Sequence, residues 1–193
     1  MRILFVTLFV FLSVSAFSQK KSKYIYIHVS DKSVTLTPFY KVFGSNFDPA
    51  VTFGGEFDHI ENEKSTIFQN VEGTAYSHAL TGGGLSLSTS LGYRYQIYGG
   101  LFAEGMLGLM GSGFVSGRES FSLNDSSGEY ERVTPMHWTF GVPIDMGVGY
   151  EVGKYSFYLR YRYELQGRYA DILPIIPSSY MSLGFRYLVL GAR

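Results

Sequence analysis

Residues 155–166 read Tyr155-Ser156-Phe157-Tyr158-Leu159-Arg160-Tyr161-Arg162-Tyr163-Glu164-Leu165-Gln166. The odd positions are all apolar or aromatic, whereas the even ones carry Ser, Arg, Arg, Glu and Gln around a single Tyr158. That period is two, not 3.6, so the segment is a strand with one apolar and one polar face. The same split recurs in 138–152, where Trp138, Phe140, Val142, Ile144, Met146, Val148, Tyr150 and Val152 oppose Gly141, Asp145, Gly147, Gly149 and Glu151. It recurs again in 85–97 and 181–189, and more faintly at Tyr24–Ser30, Ser33–Phe43, Val51–Ile60 and Leu101–Ser112. Eight strands are expected. Short links at Gly44–Ala50, Tyr98–Gly100 and Gly153-Lys154 alternate with long ones at Glu61–Gly83, Gly113–His137 and Gly167–Ser179. A short Asp31-Lys32 turn falls on the long-link side.

Alternation suits a soluble barrel as well, with its apolar face turned inward. The polar face discriminates. A water-facing exterior is rich in Lys and Glu, but here the polar positions are mostly Ser and Gly with isolated Arg, Asp and Glu. Small residues with a few pairable charges suit a crowded lumen. Apolar faces ending in Tyr, Trp and Phe suit aromatic girdles at a membrane surface. The expected fold is therefore all-β: an eight-stranded antiparallel transmembrane β-barrel with a side-chain-filled lumen.

Composition agrees. The chain has 193 residues, enough for one such domain, with 17% aromatic and 17% charged residues and 23 glycines; the charged share is below the usual value of about 25%. Zero formal net charge removes any global field that would attract nucleic acid, and the absence of cysteine removes disulfides, thiolate metal sites and a lipidated cysteine anchor. At the N-terminus, Arg2, the apolar run Ile3–Val14 and the small residues of Ser15-Ala16-Phe17-Ser18 read as a signal peptide over 1–18. The apolar run is short of the roughly 20 residues that span a bilayer as a helix. Residues 19–193 are then the barrel.

Register follows from the turns. A two-residue hairpin at Gly153-Lys154 pairs Val152 with Tyr155 and sets Asp145 opposite Arg162. A three-residue loop at Tyr98-Gly99-Gly100 pairs Ile97 with Leu101 and sets Arg94 opposite Glu104. The lumen is expected to hold an ion-pair network of Arg94, Glu104, Asp145, Arg162, Arg160, Glu164 and Arg186, together with Glu56 and Asp58. Tyr24, Tyr26, Phe39 and Tyr158 add bulk, so the interior is plugged. Pro38 and Pro143 cannot donate to the ladder, and a bulge is expected at each.

In the last strand, Ser182-x-Gly184-x-x-Tyr187-x-Val189 resembles the C-terminal assembly signal of the outer-membrane β-barrel protein family, with its OmpX-like and OmpA-transmembrane-like small barrels. The chain departs from that pattern by running on through Leu190-Gly191-Ala192-Arg193 without a terminal aromatic. The Ser-Gln junction at the end of the signal peptide is similar to the Bacteroidota version of the family. The resemblance implies insertion by the barrel assembly machinery, contact with outer-membrane lipids and lipopolysaccharide, and extracellular loops in an envelope, adhesion or partner-presenting role. No cofactor is implied.

Some barrels of this kind are lipid A deacylases or acyltransferases, which makes a Ser/His/acid group at the rim the alternative. His59, His78 and His137 are expected at the external end, with Ser77, Ser120, Glu61 and Glu131 nearby. The one His-x-Ser triplet, His28-Val29-Ser30, lies in the first strand instead of a late one. A cation site at Asp58, His59, Glu61 and Glu63 is disfavoured because successive strand residues face opposite sides. The loops carry more acid than base, with Glu61, Glu63, Glu72, Glu119, Asp125, Glu129, Glu131 and Asp171 against Lys64, Arg118, Arg132 and Arg168. The apolar run Leu173-Pro174-Ile175-Ile176-Pro177 is expected to lid the barrel mouth.

Overall fold

The computed structural model describes residues 23–34, 47–78, 82–115, 120–123, 130–133, 136–167 and 175–190. Ten strands run in chain order: β1 (Lys23–Val34), β2 (Pro49–Glu61), β3 (Ser65–His78), β4 (Gly82–Tyr98), β5 (Leu101–Val115), β6 (Ser120–Leu123), β7 (Tyr130–Val133), β8 (Met136–Val152), β9 (Tyr155–Gly167) and β10 (Ile175–Leu190). Eight of them close an antiparallel barrel in the order β1-β10-β9-β8-β5-β4-β3-β2, and β6 and β7 form a separate hairpin between β5 and β8. Pairing can be followed from Lys23 through Phe57, Gln69, Leu91, Leu107, Ile144, Tyr163 and Ser179 back to β1 at Ser33. That ten-residue stagger requires strongly tilted strands, as closure of a barrel demands.

The strand count agrees with the sequence reading, yet two assignments differ. Tyr24–Ser30 is not followed by a turn: β1 continues through Asp31 and Lys32 to Val34, and 35–46 lie outside the described residues. Asp31 and Lys32 are polar because each has a partner at this end. Asp31 Oδ1 accepts the Asp48 backbone N–H at 2.8 Å, and the Lys32 ammonium sits 3.3 Å from the Tyr76 ring centre. Conversely, the long link at Glu61–Gly83 contains a full strand, β3. The link at Gly44–Ala50 therefore belongs to the same end as the long connections, and the short turns are Asn62–Lys64, Gly99-Gly100 and Gly153-Lys154.

Those turns match their residues. Gly99, Gly100 and Gly153 have φ of 57°, 93° and 59°, a left-handed conformation that two-residue hairpins need. The β4–β5 turn has two residues, not three: Tyr98 pairs with Leu101, and the register shift between Gln96 and Tyr98 then brings Arg94 opposite Glu104. Pro143 interrupts the β5–β8 ladder between Leu107–Ile144 and Met110–Gly141 without changing its register, so no bulge forms there. Pro38 lies outside the described residues.

The barrel is inside-out relative to a water-soluble protein. Leu183 is 70% exposed and Leu91 60%, while Arg160 and Arg186 are each 1% exposed. The outward face is a continuous apolar belt far larger than the few hundred Å² that soluble monomers expose. Tyr93, Tyr95, Tyr98, Tyr150 and Tyr155 crowd its short-turn end, and Trp138 and Phe140 its loop end. This is the outer surface of a barrel that spans a bilayer. Inside, large rings lie over glycines of the neighbouring strand: Tyr26 over Gly54, Phe68 over Gly92, Phe102 over Gly149 and Tyr158 over Gly184.

Candidate functional site

The lumen holds a charge network that runs along its length. Near the short-turn end, Glu104 of β5 receives Arg94 Nη2 at 2.9 Å, Arg186 Nη2 at 3.0 Å and Arg160 Nη2 at 3.1 Å. Glu56 of β2 receives Arg94 at 2.8 Å and Arg186 at 3.2 Å. Two carboxylates thus share three guanidinium groups, whose planar faces are backed by rings. Arg94 lies 4.5 Å from the Phe68 centroid, and Arg160 and Arg186 lie 4.8 and 5.0 Å from that of Tyr158. Weakly hydrated, ring-stacking and multidentate, Arg suits this dry setting better than Lys.

Higher in the barrel, Glu72 of β3 accepts Tyr26 Oη–H at 2.6 Å and Ser88 Oγ–H at 3.1 Å, and pairs with Arg162 and, at 3.5 Å, with Arg160. Arg162 also donates to Asp145 through Nε at 2.6 Å and Nη2 at 3.1 Å, a two-point contact of the strong kind. Glu164 stands 3.9 Å from Arg162 and accepts Gln166 Nε2–H at 2.9 Å. Arg160 joins the two clusters. At the loop end Lys32 rests over Tyr76, and Ala50, Tyr76, Phe114 and Tyr180 form an apolar cap.

All seven residues named from the sequence for this network, Arg94, Glu104, Asp145, Arg160, Arg162, Glu164 and Arg186, point into the lumen and are buried. Glu72, read above as an external loop acid, is a central member of the network instead, and Lys32, read as a turn residue, also faces inward. Both errors follow from the strand assignments. The sequence did carry a signal for Glu72, since Asn70, Glu72 and Thr74 recur at period two. In β10, Ser182 and Gly184 face the lumen, whereas Tyr187 and Val189 lie on the outward side. A Cβ at Gly184 would come within 2.2 Å of the Tyr158 ring, so packing alone demands glycine there.

The histidines do not share one rim. His59, Glu61 and Glu63 lie by the Asn62–Lys64 turn, at the end opposite to the one expected. His137 is at the loop end, stacked on Phe114 at 5.2 Å. His78 ends β3 there too. His28 and Ser30 are buried in the lumen, with His28 Nδ1 3.2 Å from Tyr158 Oη and Ser30 Oγ 2.8 Å from Ser182 Oγ. Among the described residues no group of three or more His, Cys, Asp or Glu is arranged to hold a metal. Of the apolar run at 173–177, Ile175 to Pro177 extend β10 with Ile175 exposed, so this part forms strand, not a lid.

No protein-family profile matches the chain, and no curated protein matches its sequence. Among solved structures, the chain is similar to Neisserial surface protein A, with 14% identity, a TM-score of 0.54, and coverage of 88% of this chain and 97% of that one. It is also similar to a de novo designed transmembrane β-barrel, with 12% identity, a TM-score of 0.50, and coverage of 89% and 98%. At these identities the likeness is one of fold: the chain has the architecture of the small transmembrane barrels.

Proposed function

We propose that this chain is a non-enzymatic integral outer-membrane protein of a diderm bacterium, of the OmpX-like and OmpA-transmembrane-like kind, which uses its barrel as an anchor and its loop end for contacts outside the cell. In this reading residues 1–18 direct export and are removed. The barrel assembly machinery inserts residues 19–193, and the outer wall meets lipid and lipopolysaccharide. The observation that carries the reading is the pairing of an apolar outer belt with a lumen filled by ion pairs. Such a lumen leaves little room for transport, which supports a role in contacts made at the protein's surface.

The β6–β7 hairpin supports a presenting role. Phe121 pairs with Arg132 and Leu123 with Tyr130, and cross-strand partners share a face of a hairpin. Phe121 and Tyr130 are 58% and 73% exposed on that face, where aromatic side chains are the usual anchors of a protein contact. A protease-cleavable tag inserted between Asp125 and Ser126 tests the arrangement: it is expected to be cut on intact cells, while the same tag at Gly153-Lys154 is protected. Protection at the first site with cleavage at the second would overturn the orientation and the proposal.

A further inference from the structure

Lys32 stands apart from the other cations of the lumen. Each of the four buried arginines pairs with at least two carboxylates. Lys32 is the one buried lysine among the described residues, 3% exposed, and it has no ion pair among them. Ring faces hold it instead: its ammonium lies 3.3 Å from the Tyr76 centroid and 5.2 Å from that of Tyr180. The charges of Glu164 and Asp48 act on it from beyond ion-pair distance. Aromatic faces with negative charge behind them are the chemistry by which proteins recognise ammonium groups.

The walls of this box stand without Lys32. The Tyr76 ring lies over Gly84, where a Cβ would come within 2.6 Å of the Tyr76 hydroxyl oxygen, and that oxygen is 3.3 Å from Ser112 Oγ. Tyr180 packs with Ala50, Tyr76 and Phe114 in the apolar cap. The backbone of β1 is likewise held by its own bonds, through the ladder pair of Lys32 with Tyr180 and the Lys32 N–H donated to the Asp48 carbonyl at 2.8 Å. Neither wall nor backbone depends on the ammonium, and a lysine stem is flexible. The side chain is therefore the part that can leave, and it sits near the Val34 end of β1, at the loop end of the barrel.

We propose that the loop-end cap is a binding box for a primary alkylammonium group, filled in this state by Lys32 and open to a ligand when that side chain swings aside. An arginine of the network would have to break several ion pairs to be exchanged. Lys32 gives up only ring contacts, which an incoming ammonium restores. An anion is not the occupant, because Glu164 and Asp48 repel it. Access from outside the cell rests on the orientation given above, whereas binding to protein in detergent does not depend on it.

Titration of the detergent-purified full chain with n-butylammonium chloride, followed by saturation-transfer NMR at constant ionic strength, tests this. Lys32→Ala, which empties the box, is expected to bind the probe saturably, and the unaltered chain to bind it saturably but roughly tenfold more weakly, because its own ammonium competes. Adding Tyr76→Leu or Tyr180→Leu to Lys32→Ala should weaken binding again by roughly tenfold, the scale of one lost ring face. Heat-modifiable gel migration verifies that each variant is folded. Equal affinity in the unaltered chain and Lys32→Ala, or equal binding of butan-1-ol, would overturn the box as an ammonium site. Absence of saturable binding to folded Lys32→Ala would overturn it as well. Binding to Lys32→Ala with none to the unaltered chain would overturn the exchange and leave Lys32 a structural residue. Failure of the orientation reading looks different, since it reverses the protease result at the two tag sites and leaves these titrations unchanged.

Discussion

Tyr158 shows how single residues set this interior. Its ring covers Gly184 of the neighbouring strand, where a Cβ would come within 2.2 Å of it. Gly184→Ala is therefore expected to destabilise the barrel by about 1–3 kcal/mol through overpacking. Tyr158→Leu in the same chain should return part of that loss in urea unfolding from liposomes; an unchanged deficit would mean the clash is not the cause. Arg162 has a different kind of dependence, since it faces Asp145, Glu72 and Glu164 together. Its removal leaves several buried carboxylates short of a cation, which typically costs about 3–5 kcal/mol. Adding Asp145→Ala should recover only a part, because Glu72 keeps its own deficit. The double-mutant cycle should show a coupling of about 0.5–3 kcal/mol, and a coupling of zero would dissolve the pair.

Among the elements, β9 was the most legible, and its two faces invite a direct contrast. Leu159 is 46% exposed on the belt whereas Arg160 is 1% exposed inside. Leu159→Arg should cost about 2–4 kcal/mol if that position lies near the middle of the bilayer, while Tyr155→Arg at the strand's short-turn end should cost clearly less; equal penalties would argue against a depth-dependent, lipid-filled surrounding. β8, β9 and β10 alternate cleanly, so their faces and the Asp145–Arg162 register could be read without coordinates. β3 could not, because its inward face mixes Thr66, Phe68, Asn70, Glu72, Thr74 and Tyr76 while its outward face includes Gln69, Gly73 and Ser77. Neither face is consistently polar or apolar, so period two fades. β1 failed for the opposite reason: Asp31-Lys32 has the composition of a turn, yet the ladder with β10 runs through Asp31–Met181 and Lys32–Tyr180, and contacts with Asp48, Tyr76 and Tyr180 accommodate the two polar side chains. The two errors offset each other in the strand count but moved Glu72 and His59 to the wrong places.

For the whole molecule, the central claim is that the apolar wall meets lipid and the polar face fills a closed interior. The chain contains no cysteine, so single cysteines can be placed one at a time along β9 from Ser156 to Leu165 and spin-labelled in reconstituted vesicles. The account predicts that Phe157, Leu159 and Leu165 labels, at exposed outward positions, relax with lipid-soluble oxygen and ignore a water-soluble nickel chelate. Labels at Ser156, Tyr158, Arg160 and Arg162, where the chain still folds, should be shielded from both. Odd-position labels open to the nickel chelate, or even-position labels freely reached by it, would contradict the lipid-facing wall or the plugged lumen respectively.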